Sequence, residues 1–516
     1  MDSMPPPGNP LRAGMATELS VDPCVLTILG ASGDLTRRKL LPGLYALAEN
    51  RLLPSAFGLL GFARRPWSDE KFRKLMREAV GEHSRVKPVD DAVWDDLAKG
   101  MGYVQGSFDD PDAYVRLRER LERYDAEHGT AGGRTFYLAV PPGSAGTIVE
   151  QLKKAGLVDP PVDGKPYARV VIEKPFGIDL ESAVALNRDL LGLLDERQIF
   201  RIDHYLGKET VQNLLVLRFG NTIFEPLWSR NHVSHVEITV AEHIGIEGRG
   251  KFYEQTGLMR DVVQNHAMQL FCLVAMEAPV AWDADSVRDE KVKALRSLRP
   301  IRGAQAVREQ TVRGQYAAGT VRGDAVSAYR KEPDVDPASM TETFVALQME
   351  ADNWRWAGVP FYLRAGKRLS KRVTEIALHF KALPHPLFSG APGAMNEPNT
   401  LILRIQPDEG IALRFATKIP GQSIAMREVA MDFRYGTAFG HATPEAYERL
   451  LLDTMRGDAT LFTRHDEVEA QWAFVDPIMQ QWKKGDVRLA RYESGSWGPD
   501  EAHALIARLG HAWSRP

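Results

Sequence analysis

A chain of 516 residues, 44% hydrophobic and 26% charged, is too long for one ordinary core and has the composition of a two-domain globular protein. A net charge of -3 leaves no broad basic field for a polyanion, which argues against a nucleic-acid partner, although a compact phosphate site needs only a few cations. No apolar run approaches the ~20 residues of a membrane span, and two cysteines make no disulfide framework.

Residues 1–20, with Pro5, Pro6, Pro7 and Gly8 and no apolar h-region, read as a disordered tail and not as a signal peptide. Cys24 and Cys272 sit in apolar runs with no Cys or His at ligand spacing; buried thiols and a cytoplasmic, reducing setting are expected. From residue 21, short apolar runs alternate with amphipathic stretches. Strands are predicted at 25–29, 57–62, 135–139 and 169–172, with helices at 69–80 and 114–128. This alternation predicts a parallel sheet covered on both faces. Past about residue 200, longer β-rich runs at 236–240, 343–349, 374–379 and 400–406 predict a larger α+β domain with a mostly antiparallel sheet. Residues 284–337, polar and charged with Gly and Pro, read as helix plus long surface loops.

The first strand runs straight into Gly30, Ala31, Ser32, Gly33, Asp34 and Leu35, followed by Arg37, Arg38 and Lys39 and by apolar Leu41, Leu44 and Leu47. Strand, glycine turn and helix together suit a pyrophosphate: glycine lets the backbone approach, and the helix N-terminus offers free N–H groups. Pro42 should kink or restart the helix. Only Gly30 and Gly33 are present of the full G-x-G-x-x-G fingerprint, so a merely structural turn is the rival reading. The second strand ends in Ala63, Arg64 and Arg65, where NAD enzymes usually carry an acidic residue for the ribose. Two cations favour the 2′-phosphate of NADP; use of NAD, or a solvated arginine pair, stays open.

Three clusters follow. Glu173, Lys174, Pro175, Phe176 and Gly177 lie at the C-terminal end of a buried strand, where open α/β sheets bind ligands, and Lys174 could donate to both sugar and coenzyme. In Arg201–Glu209, a predicted helix start puts His204 and Lys208 on one face with Tyr205 beside them, a donor set for a phosphate dianion, while Asp203 points about 100° away. Glu242 then precedes a glycine-rich stretch and the run Arg260, Asp261, Gln264, Asn265, His266 on a helix. A lone His on an apolar helix face is usually a core residue. Beside the other clusters, His266 suits a base for a hydroxyl proton, with Asp203 available to orient its ring.

These four motifs, in this order, closely resemble those of the glucose-6-phosphate dehydrogenase family, and the likeness spans roughly residues 23 to 495. The resemblance implies a Rossmann-like coenzyme-binding domain at 21–203 and an α+β substrate-binding and oligomerisation domain at 204–516. It implies His266 as general base, Asp203 as its partner, and His204, Tyr205 and Lys208 as the phosphate clamp. Lys174, Glu242, Asp261, Lys367, Arg372 and Gln406 would contact sugar or phosphate. Gly30 to Leu35, Arg37, Arg64, Tyr137 and Lys174 would contact NADP. The implied reaction oxidises glucose 6-phosphate at C1 to 6-phosphogluconolactone, the entry to the oxidative pentose phosphate pathway, without a metal and in a homodimer or homotetramer. Val373 and Ala377 replace two cations that hold a second, structural NADP in animal members, so no second site of that kind is expected. A non-catalytic NADP or sugar-phosphate sensor is the alternative; such a protein would be expected to lose the base or its partner, and both are present.

Overall fold

The computed structural model describes residues 21–159, 166–388, 398–421, 424–439, 443–485 and 487–516, so the predicted tail at 1–20 lies outside the described residues. Six parallel strands form the first sheet, in the order Met101–Gln105, Phe57–Ala63, Cys24–Leu29, Arg134–Leu138, Ala168–Ile172, Ile199–Arg201. Helices cover both faces, so a central strand such as CVLTIL is buried at every position and reads as an unbroken apolar run. Asp69–His83 starts at Ser68, whose hydroxyl accepts from the Lys71 N–H, and Pro111–His128 starts at Asp110 and stops at the left-handed Gly129.

The chain order reverses between Cys24–Leu29 and Arg134–Leu138, which opens a crevice at their C-terminal ends. The glycine turn lies there. Gly30 has φ +89°, and a Cβ on it would fall 2.1 Å from the Ala139 carbonyl oxygen. Its N–H donates to the Phe62 carbonyl, which seats the turn on the end of the second strand. A π-helical stretch, Thr36–Leu40, follows and gives way to the α-helix Leu41–Glu49 with Pro42 in its first turn, so the proline restarts the helix as expected.

The second sheet has nine strands, in the order Met426–Arg434, Gly410–Lys418, Thr400–Gln406, Val373–Phe380, Val233–Ala241, Pro360–Gly366, Phe344–Glu350, Thr311–Ala317, Leu489–Glu493. It is mostly antiparallel: only Pro360–Gly366 on Val233–Ala241 and Leu489–Glu493 on Thr311–Ala317 run parallel. The reading of 284–337 as helix and loops needs correction. Helices Ala284–Arg296 and Gly303–Gln310 are present, but Thr311–Ala317 is a full strand of this sheet. Arg313 and Gln315 disguised it. Both are buried, because the Arg313 guanidinium donates to the Val487 carbonyl (2.6 Å) and the Gln315 amide to the Thr341 carbonyl (2.9 Å).

Helices Ala446–Arg456 and His465–Lys483 pack back on the first domain. Arg85 holds Glu448 with two hydrogen bonds (2.6 and 2.8 Å), and Arg169 donates to the Thr454 and Met455 carbonyls. One apolar core therefore runs from under the first sheet to under the second. No helix among the described residues is long and apolar enough to cross a membrane.

The Gly30 turn yields a stability prediction. Gly30→Ala forces a Cβ against backbone in a left-handed conformation and should destabilise the protein by at least about 1–3 kcal/mol. Chemical unfolding of the two proteins side by side measures this; coincident midpoints would mean that the turn relaxes freely.

Candidate active site

The two sheets meet along the segments that carry the sequence clusters. Glu173 and Lys174 follow the strand Ala168–Ile172, and residues 202–208 follow Ile199–Arg201. From the second sheet, Glu242, Lys367 and Gln406 lie at strand ends, with Arg372 just before Val373–Phe380. A π-helical stretch, Met259–Ala267, carries Asp261 and His266. Such wider helical turns are rare and re-aim side chains, often at functional sites.

The expected helix through His204 and Lys208 is absent. Residues 202–208 form tight turns, closed by Leu206 N–H to the Asp203 carbonyl and Lys208 N–H to the Tyr205 carbonyl, and the helix Glu209–Phe219 starts only after Lys208. The Asp203 carboxylate captures the Tyr205 N–H (2.9 Å), the local competition by which Asp disfavours a helix interior. Gly207 is pressed on the Ala446 carbonyl, 2.7 Å from where a Cβ would sit. His204 and Lys208 therefore share no helical face. The turns still bring the set together: the His204 and Tyr205 rings each lie 4.4 Å from the His266 ring, and the Lys208 ammonium sits 4.5 Å above the Tyr205 ring.

His266 Nδ1 is 2.6 Å from Asp203 Oδ1, with both side chains buried. Burial would raise the Asp203 carboxyl, but the facing imidazole outweighs it and holds the group well below the usual carboxylate range. Burial also pushes the His266 imidazole below its ordinary value, with Lys174 adding to that and Asp203 opposing it. At neutral pH this is a carboxylate accepting from the Nδ1–H of a neutral imidazole, so the lone pair is on Nε2. There the Lys174 ammonium donates to it (2.9 Å) and also to the Asp261 carbonyl (2.8 Å).

Beyond the pair, Lys367 is buried and bound to Glu242 (2.6 Å), with Asp261 at 3.7 Å. Burial would raise the Asp261 carboxyl, but Lys174 and Lys367 outweigh it and bring it down to about 2. Further out, Gln406 Oε1 accepts from both Lys208 and Arg372, while its amide nitrogen donates to Thr374. Burial, helped by the Arg372 charge, brings Lys208 down to about 8. The base therefore has a polar group beyond Lys174 and a cationic group beyond the Tyr205 ring.

On the coenzyme side, Ala31 is buried, Ser32, Gly33 and Leu35 are half-buried, and exposed Asp34 pairs with Arg38. The side chains of Arg37 and Arg64 are exposed near the turn. Tyr137 is fully buried, and its hydroxyl donates to Glu173. The Glu173 carboxyl, raised by burial, is also held by Tyr447. Sequence reading passed over Glu173 as a site residue, although it stands beside Lys174; Tyr447 and Thr374 carry no motif and could not have been found.

The family model for the glucose-6-phosphate dehydrogenase NAD binding domain matches residues 27–213, and that for the C-terminal domain of the same enzymes matches residues 215–514. The chain belongs to the glucose-6-phosphate dehydrogenase family. It is 48% identical over 510 residues to glucose-6-phosphate 1-dehydrogenase 2 of Mycobacterium tuberculosis, covering 98% of each chain. It is 47% identical over 494 residues to the glucose-6-phosphate 1-dehydrogenase of Chlamydia muridarum, covering 95% of this chain and 96% of that one. Among solved structures, a glucose-6-phosphate dehydrogenase in complex with its substrate glucose-6-phosphate is similar at 34% identity with a TM-score of 0.87, covering 97% of this chain and 100% of that one. The Mycobacterium avium glucose-6-phosphate 1-dehydrogenase is 39% identical with a TM-score of 0.81, covering 96% and 99%. As a glucose-6-phosphate dehydrogenase family member, the chain has a nicotinamide-dinucleotide domain in its first sheet.

The depressed Lys208 ammonium is open to a chemical test. Brief acylation near pH 8 should label Lys208 ahead of exposed lysines such as Lys251, because the lowered pKa of Lys208 leaves more of its amine free to react there. Peptide mapping by mass spectrometry reads the order; labelling of Lys208 no faster than the rest would contradict the depressed value.

Proposed function

We propose that this protein oxidises D-glucose 6-phosphate at C1 to 6-phospho-D-glucono-1,5-lactone with NADP as acceptor, the first step of the oxidative pentose phosphate pathway. The observation that carries the reading is the buried Asp203–His266 pair, whose Nε2 meets Lys174 and whose ring stacks on Tyr205, with the Lys208 and Arg372 cations gathered on Gln406 beyond it. His266 Nε2 takes the C1 hydroxyl proton as the C1 hydrogen leaves as hydride and the C1–O bond becomes a carbonyl. Asp203 keeps the proton on Nδ1 and stabilises the imidazolium that forms. Lys174 must leave Nε2 when the sugar hydroxyl arrives, and it remains close enough to donate to sugar and coenzyme. Glu242, Asp261 and Lys367 hold the ring hydroxyls; His204, Tyr205, Lys208, Arg372 and Gln406 hold the phosphate.

A turn with no room for a Cβ at Gly30 fits a pyrophosphate, with Ala31 to Leu35 and Arg37 around it. When bound, the nicotinamide of the coenzyme accepts the hydride. Arg64, two residues past the carbonyl that holds Gly30, reads the 2′-phosphate in this proposal, and Tyr137 acts through Glu173. The edge strand Met426–Arg434 exposes Val429 and Met431, which supports a homodimer or homotetramer built through the second sheet. Two free, buried cysteines fit a cytoplasmic setting, and we place the domain boundary near residue 203.

Following reduced-nicotinamide absorbance with glucose 6-phosphate, and with glucose as control, tests the reaction. His266→Asn should lower kcat by about 10²–10⁴-fold and leave sugar-phosphate affinity nearly unchanged. Because the His266 pKa is lowered, the acid limb of kcat/KM should lie below pH ~6.5, with activity lost as falling pH protonates Nε2. Near-normal turnover by the variant, or an acid limb above that value, would remove His266 as the base.

Coenzyme choice has its own variant. Arg64→Ala should weaken NADP and spare NAD, measured as the ratio of their kcat/KM values. An equal loss with both would mean that Arg64 does not read the 2′-phosphate.

A further inference from the structure

Far along the second sheet, away from the reaction, three imidazoles and a carboxylate gather on one face. His235 and Glu237 are two residues apart on Val233–Ala241, and His379 is directly opposite His235 on Val373–Phe380, so all three side chains emerge on the same side. The segment after the helix Asp500–Ala507 lies across them. Ser514 N–H donates to Glu237 Oε2 (2.9 Å), its hydroxyl reaches Glu237 Oε1 (3.1 Å), and His511 Nδ1 meets the Tyr362 hydroxyl (3.0 Å). His235 is buried, and its Nε2 makes no hydrogen bond shorter than 3.5 Å among the described residues, with the charged Glu237 Oε1 standing 3.7 Å away. A buried ring nitrogen left this way costs free energy unless something else takes it.

The geometry points to a Zn2+-class metal site formed by His235 Nε2, His379 Nε2, Glu237 Oε1 and the Ser514 hydroxyl, which clamps the 511–514 segment onto the sheet. Tetrahedral zinc with bonds of about 2.0–2.1 Å sets its donor atoms roughly 3.4 Å apart. Here Glu237 Oε1 lies 2.8 Å from His379 Nε2, 3.7 Å from His235 Nε2 and 3.1 Å from Ser514 Oγ, and Ser514 Oγ lies 3.3 Å from His379 Nε2. These separations bracket the tetrahedral edge. The other nitrogen of each ring faces a hydroxyl: His235 Nδ1 lies 3.4 Å from Ser234 Oγ and His379 Nδ1 3.4 Å from Thr400 Oγ1. Each hydroxyl is able to accept from an Nδ1–H, the tautomer that leaves Nε2 free to ligate. The two rings are stacked nearly parallel, with centroids 4.2 Å apart, so ligation asks each to tilt about the soft ring torsion until its lone pair meets the common centre.

The donor set chooses the ion. Two imidazoles and one carboxylate suit zinc, whereas calcium and magnesium take oxygen ligands. Arg364, whose guanidinium donates to the Ser514 carbonyl (2.6 Å) and lies 4.5 Å from the Trp513 ring, opposes any cation held by charge alone. A metal here must be held by its ligand bonds.

The test uses the full chain, stripped with a chelator and then titrated with Zn2+ or Co2+. One ion per chain is expected, with the intense visible bands of four-coordinate Co2+ and a Zn2+-dependent rise in the unfolding temperature. Removing an outer partner typically costs metal affinity about 10–100-fold, so His379→Gln and Glu237→Gln should cost at least that. Asp203, His204 and His266 form another cluster able to hold an ion, so His266→Asn is the control and should keep the metal. No uptake, a six-coordinate cobalt spectrum, or an ion that survives His379→Gln and disappears in His266→Asn would each overturn the site. The wild-type cobalt spectrum decides the matter even if a variant fails to fold.

Discussion

The contact between Asp203 and His266 joins the two sheets at one hydrogen bond. Asp203 comes from the turn after the last parallel strand, and His266 from the π-helical stretch that packs between the sheets. Neither group tolerates burial alone: an unpaired carboxylate in that position would cost several kcal/mol, and an unoriented imidazole would have no fixed tautomer. Paired, they fix which nitrogen holds the proton and leave the other facing Lys174. The turns at 202–208, the widened helix and the stacked Tyr205 ring all serve to hold those two side chains in register.

Charge is balanced differently in the polar and the cationic group. In the polar group, Lys174 and Lys367 face Asp261 and Glu242, so these groups are paired and already oriented before a neutral ring arrives. In the cationic group, Lys208 and Arg372 converge on a single amide oxygen, Gln406 Oε1, and no carboxylate hydrogen-bonds to either among the described residues. On the proposed placement of the phosphate, the amide oxygen stands where a phosphate oxygen would; burial, with repulsion from Arg372 added to it, keeps the Lys208 ammonium depressed. A dianion relieves that repulsion, whereas an uncharged sugar cannot. On the same placement, selectivity for the ester follows from two cations that hydrogen-bond to no carboxylate among the described residues.

How legible this was in the sequence depended on whether a local pattern matched the local structure. Parallel strands such as Cys24–Leu29 read plainly because burial on both faces leaves no polar residue to confuse the pattern. The strand Thr311–Ala317 did not, because Arg313 and Gln315 are satisfied by carbonyls from segments far away in the chain. Residues 201–209 come together by a route other than the expected helix: His204, Tyr205 and Lys208 converge near His266 through turns, since Asp203 competes for the backbone that a helix would need. Asp203 could be proposed as the partner of His266 from residue type alone. The link from Tyr137 to Glu173 could not, because it exists only once two neighbouring parallel strands are in register.

The last ring of the site comes from a helix with no motif in it. Tyr447, on Ala446–Arg456, binds the Glu173 carboxyl and lies nearly parallel to the His204 ring at 6.4 Å. Glu173 precedes Lys174, and His204 follows Asp203, so one side chain bears on the neighbours of two groups that touch His266. The helix itself is anchored to the first domain by Glu448 on Arg85 and by its carboxyl-terminal carbonyls on Arg169. On the proposed placement of sugar and coenzyme, the distance between hydride donor and acceptor is thus held from outside the seam, by the Arg85–Glu448 ion pair and the Arg169 carbonyl bonds. Rigid placement of this kind is what near-contact transfer requires, since a shift of about 1 Å in such a geometry can cost on the order of 100-fold in rate.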